Sequence, residues 1–354
     1  MILVNNPGDW GNVYPALLHA AWHGCTLADF VFPFFLLVVG MSIVFALGKA
    51  KTSTPYAQLW PKLFKRSAWL FGLGLALHTF DYFTASLEGI RILGVLQRIA
   101  IVFFFASTFY LLLSTKYLPY LIAFIFGLYT ILMLVVPVPE IGAANLEKGT
   151  NLSAWLDQTI LGHAHVWQWT RSTSPGSFSW DPEGILSTLP ALCSTLLGIL
   201  LGTIIRSEET AQQRLRQLGL YSLTFLLAGL MLHFTFMPMN KALWTPSFSL
   251  FTAGVGGAIL SFCFWLMDVR KKVVPGTDLF LAFGSNALIL YFSSEMLARL
   301  LYFFKWNGVA LQTQWFQLWP FEPKMNSLIC AISYVAFFAI PALFLYKKKI
   351  FIKV

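Results

Sequence analysis

The chain has 354 residues, of which 57% are hydrophobic and only 11% charged, with a mean hydropathy of +0.69 and a net charge of +9. A water-soluble domain covers its surface with about 25% charged residues, so this composition excludes a soluble globule. The 34 Phe, 13 Trp and 12 Tyr exclude a disordered chain. A polytopic, all-α membrane protein remains. In chain order, apolar runs long enough for a membrane helix occur at 30–48, 99–115, 117–139, 184–205, 217–240, 242–267, 279–294 and 325–346. A shorter run at 67–80 reaches span length by borrowing Leu63 and Phe64. The expectation is nine complete transmembrane helices. The opening MILVNNPGDW reads as the remnant of a truncated first helix followed by a turn. With no internal repeat, residues 1–354 read as a single transmembrane domain. Its segments 1–26 and 137–184 read as outer-face loops, the second of them long.

Basic residues mark the cytoplasmic loops of membrane proteins. With the segment before residue 27 outside, 16 of the 24 Lys and Arg fall on inside loops, among them Lys62, Lys65, Arg66, Arg206, Arg270 and the tail Lys347, Lys348, Lys349 and Lys353. The outside loops carry Asp81, Glu88, Asp157, Asp181 and Glu183 among others. The positive charge is therefore a topology signal rather than a nucleic-acid footprint, and the C-terminus is expected in the cytoplasm. Cys25, Cys193, Cys263 and Cys330 show neither CxxC nor metal spacing.

The outer face gathers the polar residues. His19 and His23, spaced i, i+4, would share a face if helical. They read either as a general base or acyl acceptor beside Asn5 or as interfacial histidines. Thr26 and Asp29 resemble a helix cap. Arg91 and Arg98 fall two turns apart on one helix, with Arg98 roughly 10 Å below its outer end. A charge at that depth marks a site or an ion pair, with Asp29 and Glu295 as available partners. Asp181 and Pro182 read as the N-cap and first residue of a helix, leaving Glu183 unassigned. Trp155, Trp167, Trp169 and Trp180 suit either sugar stacking or an aromatic belt. His163 and His165 lack a clear third metal ligand, and His78 and His233 read as structural. Lys241 lies beside Asn240 in a short loop, and Ser285, Asn286 and Glu295 are polar groups inside a span. The GILLG at 198–202 is a GxxxG pattern that packs helices within one chain or pairs two copies as a homodimer.

The strings HAAWHGCTLADFVFPFFLLVVGMSI, RILGVLQRIAI, DPEGILSTLPALCSTLLGILLG, PMNKALWTPSFSL and FGSNALILYF resemble, in order, those of the heparan-alpha-glucosaminide N-acetyltransferase family, and bacterial members above all. The resemblance covers nearly the whole chain. It implies a transmembrane acetyltransferase that takes the acetyl group of cytoplasmic acetyl-CoA, as co-substrate, to a glucosamine-type amino-sugar acceptor at the outer face. It further implies a bacterial inner-membrane location, with lipid as surroundings, and makes 1–26 the active-site loop; the residue spacings point to no metal and the charge distribution to no nucleic acid. It assigns His19 and Asn5 as catalytic, and places Asp29, Arg91, Arg98, Asp181, Glu183, Lys241 and Asn286 as substrate- or cofactor-binding. The stretch that usually precedes MILVNN in the family is absent. A secondary transporter of amino sugars or cell-wall sugar fragments, using the same buried charges, is the competing reading, and O-acetylation of an envelope glycan a third.

Overall fold

The computed structural model describes residues 1–80, 89–272 and 274–352; Asp81, Glu88 and Lys353, counted above among the loop charges, lie outside them. Fourteen helices are described: α1 (Ile2–Asn5), α2 (Val31–Leu47), α3 (Ala50–Ser53), α4 (Tyr56–Phe80), α5 (Val95–Leu112), α6 (Leu118–Leu134), α7 (Leu152–Leu161), α8 (Thr188–Arg206), α9 (Ala211–Thr235), α10 (Pro246–Phe264), α11 (Thr277–Ser285), α12 (Ala287–Phe303), α13 (Leu311–Gln317) and α14 (Pro323–Lys347). Seven helical segments among the described residues are long and apolar enough to cross a membrane, or eight if the bent pair α11–α12 counts as one span. The chain is thus a multi-pass membrane protein, and the described residues do not confirm the nine complete spans expected. The expected run at 279–294 is broken at Asn286, where α11 and α12 meet at 80°. The run at 67–80 forms the second half of α4, whose first half carries Lys62, Lys65 and Arg66 and leaves the helix outside the seven.

The chain divides into two compact units. The larger comprises residues 20–25 and 29–272. Its hub is α8, which packs against α2, α5, α6 and α10 and is buried along most of its length. Close approach to α2 depends on the absence of side chains: a Cβ on Gly40 would collide with the carbonyl of Thr195, and one on Gly198 with that of Leu37. Gly202 lies against Met41 of the same helix. The GILLG pattern is therefore used inside the chain, in the small-residue packing that lets membrane helices approach. The long 137–184 loop is tied down by α7 and by a core that joins Tyr129 and Met133 of α6 to Val138, Leu152, Phe178 and Leu186.

The smaller unit comprises residues 1–19, 26–28 and 273–354. There α1 packs on α12 and α14, and Ile2 joins Ala282, Leu290, Tyr334, Phe338 and Ala342 in one core. A two-residue hairpin, Lys305–Trp306 with Val309–Ala310, links α12 to α13.

Candidate active site

In the larger unit the residues that position the charges are a turn, not a helix start. Helix α8 begins at Thr188 with Ser187 as its cap, so Asp181 is not the N-cap its Asp-Pro pattern suggests. Its carboxylate instead accepts from Arg91, Nε at 2.7 Å and Nη2 at 2.5 Å, and from the backbone N–H groups of Trp167 and Glu183. Arg91 Nη2 also donates to Glu183 Oε2 at 2.5 Å. One guanidinium thus holds two carboxylates, and its outer face lies 5.7 Å from the Trp167 ring. Charge-assisted, two-point bonds of this kind are the strong ones. Arg91 is not on a helix with Arg98, because residues 90–94 form no helix and α5 begins only at Val95. Burial alone would weaken the Arg91 cation, but Asp181 and Glu183 raise its pKa above the ordinary value. Burial pushes Glu183 up, and Arg91, Arg98 and Lys241 together outweigh it, holding the carboxyl below its usual range.

Beneath this turn lies Asp157 of α7, 1% exposed, which no spacing pattern singled out. It accepts from the backbone N–H of Asp181 at 3.1 Å and of Ile185 at 2.8 Å. The carboxylate fills the space a Cβ on Gly184 would need, which fixes Gly at that position. Burial pushes the Asp157 carboxyl up to about 7, against the pull of those two N–H groups. Arg98, the fourth residue of α5, donates through Nη2 to Ser187 Oγ at 2.5 Å and to the Gly184 carbonyl at 3.2 Å. Its partners are thus a hydroxyl and a carbonyl, not the Asp29 or Glu295 carboxylates the sequence offered. Its guanidinium lies 5.2 Å from the ring of the fully buried Trp244.

Asp29 closes the other side of the cluster. The first residues of α2 receive no side-chain cap bond. The Asp29 carboxylate accepts from Ala20 N at 3.1 Å and stands 3.8 Å from Lys241 Nζ. Burial lowers the Lys241 pKa, and Glu183 and Asp29 raise it only in part. Asn240 is fully buried and pairs with His23 at 3.4 Å, while burial lowers the His23 pKa. Residues 18–26 form bends rather than a helix, so His19 and His23 do not share a helical face. Burial, with Asp29 second, pushes the Cys25 thiol up to about 12, which removes it as a thiolate nucleophile at neutral pH.

In the smaller unit, Asn5 at the end of α1 donates through Nδ2 to Glu295 Oε1 at 3.1 Å. Glu295 also accepts from Arg299 one helical turn on, at 3.2 Å. This leaves the Asn5 carbonyl oxygen and its second N–H for other work. His19 follows the short helical turn Pro15–Leu17 and is exposed. Asn286 sits at the α11–α12 break, where its amide donates to Ile350 O and accepts from Ile352 N. It thereby anchors the C-terminal segment to the bend.

Protein-family models match nothing in this chain. Among characterised proteins, the whole chain aligns over 401 positions with human heparan-alpha-glucosaminide N-acetyltransferase at 27% identity, and with the mouse enzyme of that name at 26%. The chain is a homologue of the heparan-alpha-glucosaminide N-acetyltransferases. It spans 58% of the length of these relatives. Of the residues the family resemblance assigns, the fold gathers Asp29, Arg91, Arg98, Asp181, Glu183 and Lys241 in the larger unit, while Asn5, His19 and Asn286 belong to the smaller. Sequence reasoning missed Asp157, Ser187 and Trp244. The only signal for Asp157 was an acid in a tryptophan-rich loop, and nothing in the spacing tied it to residues 181–185.

The remaining candidates take structural partners. His163 pairs with Ser179 Oγ, His165 donates to Ile90 O, His78 donates to Arg91 O, and His233 accepts from Met239 N. Among the described residues no group of three His, Cys, Asp or Glu could hold a metal ion.

Proposed function

We propose that the chain, taken over 1–354 as one acyltransferase domain, transfers an acetyl group from cytoplasmic acetyl-CoA to the amine of a glucosamine-type sugar at the outer face of a bacterial inner membrane. The observation that carries this reading is an alignment running through the entire chain, to enzymes named for N-acetyl transfer to a glucosaminide. It is supported by a multi-pass helical fold and by a cluster of buried charges that a lipid-embedded protein retains only at a cost. The Lys and Arg bias of the loops supports a cytoplasmic C-terminus.

The amine must lose a proton to become acylated, and a base raises the fraction with a free lone pair. His19 takes that role, as base or as transient acetyl acceptor. Asn5, oriented by Glu295, positions the reacting groups through its remaining amide valences. In the larger unit, Arg91, Arg98 and Lys241, with Asp29, Asp181 and Glu183, serve substrate or cofactor binding.

The test is CoA release from acetyl-CoA by the purified chain, with and without glucosamine. Release that requires both glucosamine and His19 is expected, and full activity of His19→Ala refutes the assigned base. The break at Asn286 favours one alternative, since transporters bind substrate at interrupted helices. That reading predicts uptake of labelled glucosamine into proteoliposomes with no consumption of acetyl-CoA.

A further inference from the structure

Arg98 is 1% exposed and lies one turn inside an apolar helix, yet only one of its three nitrogens is bonded. Nε and Nη1 are buried without a hydrogen-bond partner. Arg91 shows the contrast, with its charge taken by two carboxylates. A buried N–H left unmet forfeits its hydration with nothing in exchange, so such groups are rare and call for a ligand, an ion or a function. The side chain is also held in place: Ser187 and Gly184 O fix Nη2, and the Trp244 ring supports the guanidinium from a position locked by its own bond to Ser194.

The surroundings decide what fits. Glu183, Asp181 and Asp157 already act electrostatically on Arg98, so a phosphate or carboxylate entering here would meet three acidic groups. A neutral acceptor meets no such repulsion, and one that gains negative charge only as it reacts draws most from a fixed cation. In acetyl transfer, that group is the thioester carbonyl.

We propose that Nε and Nη1 of Arg98 bind the carbonyl oxygen of an acyl thioester and stabilise the charge it acquires during transfer, an inference that rests on the acetyltransferase reading. The amine lone pair forms the C–N bond as the carbonyl π electrons move to oxygen, where Arg98 meets them. The oxyanion then collapses, the C–S bond breaks, and the thiolate of CoA leaves with its electron pair. The proton lost by the amine ends on the thiolate.

The test compares binding of acetyl-CoA and of CoA, which differ only in the acetyl group, to the full chain in nanodiscs, without acceptor. Wild type is expected to bind acetyl-CoA about tenfold more tightly than CoA, as for one charge-assisted bond. In Arg98→Gln that preference vanishes, CoA affinity stays unchanged, and kcat falls about a hundredfold. Equal loss for both ligands would place Arg98 on the shared part of the cofactor and overturn the proposal, as would no change for either. If Arg98→Gln fails to assemble, Arg98→Lys decides by the same ratio, its single ammonium retaining only part of the preference. Wild type that binds neither ligand would overturn the acetyl-CoA reading and this inference with it. Wild type that binds both while the variants keep its ratio overturns the inference alone.

Discussion

Asp181→Asn is the sharpest probe of the turn that organises the charges. Asp181 is buried, and its two oxygens serve both Arg91 nitrogens and two backbone N–H groups. An asparagine offers one acceptor oxygen and turns an NH2 toward groups that themselves donate. Arg91 then loses a charge-assisted bond, worth about 1.5–3 kcal/mol, and half of its neutralising charge. Glu183 stays in place at 2.5 Å, so the loss falls at the lower end of the roughly 3–5 kcal/mol expected when a buried ion pair is broken. About 3 kcal/mol corresponds to a fall in melting temperature of about 6–12 °C at 2–4 °C per kcal/mol for a domain of some 250 residues. The assay is a thermal melt in detergent at neutral pH and fixed scan rate, with Arg91→Lys, which keeps the charge but not the fork, as a milder companion. A fall of less than about 2 °C for Asp181→Asn would refute the claim that this pair holds the turn.

Three further outcomes follow from the geometry. His19→Ala should abolish glucosamine-dependent CoA release while the purified protein elutes and melts as wild type does; a lowered melting temperature would make His19 a structural residue instead. Gly198→Leu drives a side chain into the α2 backbone and should cost at least about 1–3 kcal/mol through overpacking, seen as poor assembly in a detergent melt, whereas Gly127→Leu, at a position open to added atoms, should melt within about 2 °C of wild type. Asp157 has a native pKa raised to about 7, so the folded state holds a proton that the unfolded chain releases near pH 4. The stability this contributes is present at acid pH and is lost as pH rises through about 7. The melting temperature of wild type relative to Asp157→Asn should therefore fall between pH 5 and pH 8, and a constant difference would contradict the burial argument.

Helix positions were legible because a bilayer demands long apolar runs, and α2, α5, α6, α8, α9, α10 and α14 all answer to one. Less legible was where a run breaks. The bend at Asn286 depends on bonds to Ile350 and Ile352, more than sixty residues away, which no local window contains. The same limit governs the site. Arg98 stood out from its sequence alone as a charge inside an apolar run, but its partners, Ser187 and Gly184, are ordinary small residues until the fold delivers them. Asp181 looked like a helix cap because Asp-Pro usually is one, and only the arrival of Arg91 from 90 residues upstream redirects it. The family resemblance singled out His19 and Asn5, whose local surroundings would not distinguish them from interfacial polar residues.

The central position of α8 sets an order on biogenesis. Its neighbours α2, α5 and α6 precede it in the chain, but α10 is made about forty residues after it ends. Until then, the Ser194 hydroxyl and the Pro190 carbonyl lack the Trp244 and Ser249 groups that later bond to them. A newly inserted α8 therefore lacks these last interhelical hydrogen bonds, and synthesis of the 240–250 segment is the event that supplies them. Substitutions in the 240–250 segment should thus be felt first as failed insertion or rapid degradation of the nascent chain, before any finished protein exists to be assayed.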